Sequence, residues 1–161
     1  MQIKKMLMVS ALTMLIATGC ATAPTPITIS ETAAATPQLS TLTKLLNDAG
    51  LTETLKGPGP YTVFAPTDDA FKAVPAKTLD ALAKDKALLI SVLTYHVLPG
   101  AVTSATVVNG PVKTVQGAPV AIYKSGTFVT VEEAVITTPD IAASNGVVHI
   151  VDKVLMPPVK K

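Results

Sequence analysis

Around Gly100 the hydrophobic period of this 161-residue chain changes. Before it, apolar residues recur every three or four positions, and after it they recur every second position. Leu39, Leu42, Leu45 and Leu46 share one helical face, and Gly50 is a stop signal for that helix. "LTETL" predicts a further helical turn. "PAKTLDALAKD" and "KALLISVLTYH" predict helices with Leu79, Leu82, Leu88, Leu89, Val92 and Leu93 on apolar faces, and "LPG" (Leu98 to Gly100) ends that stretch. Beyond it, "TVVNGPVKTV", "APVAIYKSGTFVTV", "AVITTPDI" and "NGVVHIVDKVLMPP" read as short strands divided by "NG", "SG" and "NG" turns. Helices that cluster before strands argue an α+β domain, since a parallel α/β sheet needs the two to alternate.

Two strands are expected in the first half. "ITIS" (Ile27 to Ser30) alternates and predicts a short first strand. "YTVFA" (Tyr61 to Ala65) predicts a buried one, set off by the ladder-breaking "KGPGP" before it. No internal repeat is present, so one domain is expected over residues 27–158, followed by a tail at 159–161. Only six residues are aromatic, so Val, Leu, Ile and Ala must build the core.

The N-terminus reads as a targeting segment over residues 1–19. "MQIKK" is a basic start, and "MLMVSALTMLIA" is an apolar run too short to span a bilayer comfortably. "ATGC" then ends in the single cysteine, Cys20. This arrangement resembles the lipobox of bacterial lipoproteins, with Ala17 where leucine is usual. The resemblance implies cleavage before Cys20, lipid on its sulfur and an acylated new N-terminus. An exported chain with one cysteine otherwise carries an unpaired thiol. Residues 20–26 form an Ala/Thr/Pro tether. Ala21, where an aspartate is absent, implies an outer-membrane destination in a Gram-negative cell.

The formal charge is +2, carried by Lys4 and Lys5, and the chain contains no arginine. Nucleic-acid binding needs a basic stripe and is set aside. The chemical candidates are few. Asp68 and Asp69 are adjacent carboxylates, but neighbours on a helix point about 100° apart and do not converge on one proton or ion. Thr67 in front of them is a good N-cap, both carboxylates sit at the positive end of the helix dipole, and Phe71 can fold back on the incoming chain. Two histidines, His96 and His149, lack the spacing of a zinc site. No Gly-x-Ser-x-Gly elbow or phosphate-binding glycine loop is present. No catalytic residue, metal or cofactor is therefore expected.

Three blocks stand in order: "YTVFAPTDDAF", then "TYHVLPG", then "DIAASNGVVHIVDKVLMP". Together they resemble the fasciclin domain closely, over nearly the whole mature chain. The resemblance implies a wedge of β-strands flanked by helices from the N-terminal half. It implies a non-catalytic, extracytoplasmic adhesion or interaction module. Thr67, Asp68, Asn145, Gly146, His149 and Asp152 are its structural motif residues, with both histidines expected beside the Thr67–Asp68 turn. In animal members, integrin recognition has been placed at the Tyr-His region and at a Pro-Asp-Ile segment. Those match Tyr95, His96, Pro139, Asp140 and Ile141, although Thr138 and Ala142 replace the flanking glutamate and methionine. The expected partners are the membrane, through the lipid, and a protein or polysaccharide ligand, with a monomeric domain in the cell envelope. A periplasmic small-ligand binder and a structural partner of an envelope protein are the alternatives.

Overall fold

A computed structural model of the protein describes residues 27–158. The expected signal segment, the tether and Cys20 with its lipid lie outside the described residues, as does the tail at 159–161.

The first element departs from expectation. Ile29–Ala35 is a helix, α1, not a strand. Thr28 caps it: its hydroxyl accepts the Glu31 N–H, and the Glu31 carboxylate accepts the Thr28 N–H at 2.8 Å. Thr-x-x-Glu is a capping box, which outweighs the alternation of two isoleucines. A 3₁₀ turn, Pro37–Leu39, leads into α2, Ser40–Ala49. Gly50 ends α2 at φ 73°, in the left-handed region. Then follow α3 (Thr52–Lys56), β1 (Tyr61–Pro66), α4 (Asp68–Ala73), α5 (Ala76–Lys84) and α6 (Lys86–Tyr95). Leu88, expected on an apolar face, lies exposed in the first turn of α6.

The remaining strands are β2 (Val97–Pro99), β3 (Gly110–Lys113), β4 (Pro119–Ser125), β5 (Phe128–Val131), β6 (Ala134–Ala143) and β7 (Gly146–Val151). β2 falls where only a helix end was expected, because three residues are too few to show alternation. The seven strands form one sheet in the order β2-β1-β7-β6-β5-β4-β3. All pairings are antiparallel except β1 with β7, whose register runs from Tyr61 opposite Gly146 to Pro66 opposite Val151. The sheet curls until β2 and β3 approach, and the Val115 N–H donates to the Val97 carbonyl at 2.8 Å.

Two cores result. One packs Val63, Ala65, Val148 and Ile150 against Ile29, Leu42, Leu46, Phe71, Leu89 and Val92 of the helices. The other fills the curl of the sheet with Phe64, Tyr95, Leu98, Val120, Ile122, Val129, Val131 and Val151. β1 and β7 divide the two, so successive side chains enter opposite cores and both strands are buried beyond their first residue. This α+β wedge agrees with the expected fold class.

Candidate functional site

The acid pair does two jobs. The Thr67 hydroxyl accepts the Ala70 N–H at 3.2 Å and caps α4. Asp68 turns away from its own helix: its carboxylate accepts the Ser40 hydroxyl at 2.7 Å and the Thr41 N–H at 2.8 Å. It thereby caps α2. Those hydrogen bonds hold its carboxyl below the usual aspartate range. Asp69 instead pairs with Lys72 at 2.8 Å on the exposed surface. Phe71 is buried in the helical core.

Tyr95 and His96 were expected to form a binding surface. Each is only 2% exposed, so neither can touch a partner in this fold. Tyr95 fills the sheet-side core, and its hydroxyl donates to the Pro119 carbonyl at 3.2 Å and the Glu132 carboxylate at 3.4 Å. Burial, and then the Glu132 charge, push its phenol up to about 12. Glu132 stands at φ 54° in the β5–β6 turn and also accepts the Ala121 N–H at 2.8 Å. Nothing in the sequence marks it, because glutamate is not a usual left-handed residue.

The His96 ring is a clasp. Its Nδ1–H donates to the Val92 carbonyl at 2.8 Å, and its Nε2 accepts the Leu155 N–H at 2.9 Å. Both ring nitrogens are therefore satisfied in the neutral form, and burial pushes its pKa down to about 4. It ties the segment after β7 to the end of α6.

His149 works in the same way elsewhere. Its Nδ1 accepts the Asp140 N–H at 3.1 Å, which fixes the proton on Nε2, and that N–H donates to the Val102 carbonyl at 2.7 Å. The ring stacks on Phe64 at 5.7 Å. The hydrogen bonds of both histidines thus go away from the Thr67–Asp68 turn. That turn is joined to β7 by the backbone, through the Thr67 N–H and the Val151 carbonyl at 3.2 Å.

Pro139, Asp140 and Ile141 lie in a bulge of β6 where the register to β7 slips between Thr138 and Ile141. Pro139 and Asp140 are exposed and Ile141 is half-buried. Asp140 stands at φ 57°, a conformation aspartate tolerates better than most residues. Its carboxylate accepts the Ser104 N–H at 2.7 Å and the Ser104 hydroxyl. Burial opposes its ionisation, but the Ser104 hydrogen bonds outweigh it and hold the carboxyl below its ordinary value. The bulge is thus pinned from inside by His149 and from the neighbouring loop by Ser104.

Asn145, Gly146 and Asp152 are structural. The Asn145 side chain accepts the Ile29 N–H at 3.0 Å and donates to the carbonyls of Leu55 and Gly57, while its own carbonyl accepts the Tyr61 N–H at 3.0 Å. One residue joins α1, α3, β1 and the β6–β7 turn. A Cβ on Gly146 would fall on the Tyr61 carbonyl, which explains glycine where β1 and β7 begin to pair. The Asp152 carboxylate accepts the Val135 N–H at 2.7 Å.

Among the described residues, no group of three or more His, Cys, Asp or Glu side chains is placed to hold a metal ion. An apolar cleft between α2, α3, α6 and β1, lined by Leu46, Leu51, Leu55, Tyr61, Leu93 and Val115, holds about 60 Å³.

Comparison with known proteins agrees with this geometry. The family model described as the fasciclin domain matches residues 37–157. Protein sll1483 of Synechocystis sp. is 42% identical over 134 residues, covering 82% of this chain and 74% of that one. Cell surface glycolipoprotein MPB83 of Mycobacterium bovis is 40% identical over 135 residues, covering 81% of this chain and 60% of that one. In fold, the chain is similar to a solved FAS1 domain pair from the insect cell adhesion molecule fasciclin I. The TM-score is 0.65 at 16% identity, over 81% of this chain and 51% of the pair.

Proposed function

The chain belongs to the fasciclin domain family, and from that premise we propose that it is a non-catalytic adhesion module held outside the cytoplasm by lipid on Cys20. The observation that carries this reading is the Pro139–Asp140–Ile141 bulge. Of the two candidate segments, it is the one that reaches solvent, and it is held in one conformation by groups behind it. A pre-formed surface loop keeps the ordering cost of binding low. Pro139 and the half-buried Ile141 supply apolar contact, and the Asp140 carboxylate orients the loop through Ser104. The ligand is a protein or a polysaccharide of another cell, a host or a matrix.

A non-catalytic role is supported by how the histidines are used. Each ring nitrogen is taken by a backbone group, so neither histidine is free to act as a base. A single domain binds weakly, and many anchored copies would give the adhesion its strength. The anchor implies an envelope location, at the outer membrane in a Gram-negative cell.

The test combines location with adhesion. Intact and permeabilised cells are treated with a protease beside a Cys20→Ala control, and cell attachment is scored with the double variant Pro139→Ser, Asp140→Ser. Digestion on intact cells, release to the medium in the control, and lost attachment in the folded double variant are expected. Protection until permeabilisation overturns surface adhesion. Unchanged attachment by the double variant removes the bulge as the contact.

A further inference from the structure

Strand direction sorts the loops of this sheet to two ends. β1 and β7 begin at one end, where β2, β4 and β6 finish and β3 and β5 begin. That end therefore collects the β6–β7 turn at Ser144 and Asn145, the β4–β5 turn at Gly126 and Thr127, and the loop from Gly100 to Asn109. The loop crosses the end strand by strand: Val102 meets His149, Ser104 meets Asp140, and Asn109 meets Lys124. The described chain also starts there, since the Ile27 carbonyl accepts the Ser144 N–H at 2.9 Å.

This same end carries an apolar tip. Val108 is 77% exposed, Phe128 68% and Tyr123 55%. On the outer face of β4 and β5, Tyr123 lies opposite Thr130 and Phe128 opposite Ser125, so the two aromatics are diagonal neighbours. The chain has six aromatic residues, and two of them stand in water on one hairpin. The turn between them, Ser125, Gly126 and Thr127, carries no charge. At the opposite end, the β5–β6 turn carries Glu132 and Glu133. The aromatic pair therefore stands at the end of the sheet where the described chain starts, and the Glu132–Glu133 turn stands at the other.

We propose that the tip formed by Val108, Tyr123 and Phe128 rests in the interface of the phospholipid bilayer to which the chain is tethered. The inference rests on the tethered reading given under Proposed function. The chain outside the described residues supports it: Met6–Ala17 is apolar, Cys20 follows, and the segment joins the domain at the aromatic end. Seven residues from Cys20 to Ile27 reach at most about 25 Å when fully extended. β4 lies three strand spacings from β7, roughly 14 Å. A tether of that reach lets the tip lie at the membrane surface, where aromatic side chains are favoured. The acidic turn then faces away from the bilayer.

The test uses the full chain with Cys20→Ser, so that its one cysteine is an introduced Thr127→Cys carrying a nitroxide. The uncleaved apolar segment Met6–Ala17 supplies the tether in this form. The protein is reconstituted into phosphatidylcholine vesicles, and a matched protein carries the label at Glu133→Cys. Flotation with the vesicles reports the tether. Collision of the label with oxygen, enriched in the bilayer, against a water-soluble nickel complex reports the tip. A several-fold higher oxygen preference at 127 than at 133 is expected, and Val108→Ser with Phe128→Ser should abolish it without lowering the thermal midpoint. Flotation with equal, water-like values at both positions overturns the membrane contact and leaves the tether standing. Spin–spin broadening at 127 assigns the tip to a second copy and also overturns it. Failure to float removes the tether and the inference with it.

Discussion

The carboxylate of Asp68 accepts the N–H of Thr41 at 2.8 Å, so the first acid of an adjacent pair caps a helix other than the one it begins. Asp69, one residue on, reaches only Lys72 at the surface. Asp68→Ala should therefore cost about 1–2 kcal/mol of stability, as lost helix caps do. Asp69→Ala should change it by less than about 0.5 kcal/mol, as expected of an exposed ion pair. Urea denaturation of the two variants checks the difference, and equal losses would contradict the cross-helix cap.

Asn145 gathers the start of α1 and the end of α3 onto one side chain. Asn145→Ala leaves the Ile29 N–H and the carbonyls of Leu55 and Gly57 without it. A loss of about 2–3 kcal/mol is expected from these partly buried groups. Asn145→Asp keeps the acceptor for Ile29 but removes both donors, so it should recover little of that loss. Full recovery by aspartate, seen in chemical unfolding, would show that the two donor bonds contribute nothing.

The His96 clasp predicts an acid-sensitive fold. Its folded pKa lies at about 4, below the ordinary 6.5 that it regains on unfolding. Between those values the unfolded chain binds the extra proton. Stability is thus fully present above pH 6.5 and falls as pH drops towards 4, by on the order of 3 kcal/mol. Glu31, Asp68 and Asp140 have lowered values, so their contributions are lost at still lower pH. His96→Gln should be less stable at pH 7 but should flatten the curve between pH 6.5 and 4. An unchanged slope in that variant would remove His96 as the cause.

His149 should show a local signature as well as a global one. His149→Ala removes the acceptor for the Asp140 N–H, the donor to Val102 and the ring stacked on Phe64. A destabilisation of about 3 kcal/mol is expected, typical of a buried aromatic truncated to alanine. Amide hydrogen exchange at Asp140 should accelerate beyond the global change. If Asp140 tracks the rest of β6, the bulge is pinned by Ser104 alone.

The helices from Leu39 to Tyr95 and the strands after Gly110 were legible because their apolar residues repeat at the helical or strand period over several positions. Thr67 and Gly50 were legible as local punctuation. α1 was misread because Ile27 and Ile29 alternate, while the Thr28–Glu31 box that governs the helix lies between and after them. The candidate site was less legible. Tyr95 and His96 carry polar atoms, and sequence alone cannot tell a tyrosine that faces solvent from one whose hydroxyl reaches Pro119 across the sheet. The partners of Asp68 and Asn145 stand 27 to 116 positions away along the chain, and those of His149 stand 9 and 47 away across a bulge and a loop. Glu132 left no trace at all, since its left-handed turn depends on tertiary hydrogen bonds and not on residue type.

The parallel pairing of β1 with β7 also sets the order in which the protein is finished. Tyr61 meets Gly146 and Pro66 meets Val151, across most of the domain's length. During synthesis, a chain emerging N-terminus first presents β1 long before its partner β7. Helices can form early, but both cores stay open at their shared wall until the last strand arrives. Such non-local closure makes folding slow and leaves the emerging chain open to capture or cleavage. Completion of this domain is thus a race decided by its final strand, and a chain stopped at Asn145 has every helix of the described residues and no centre.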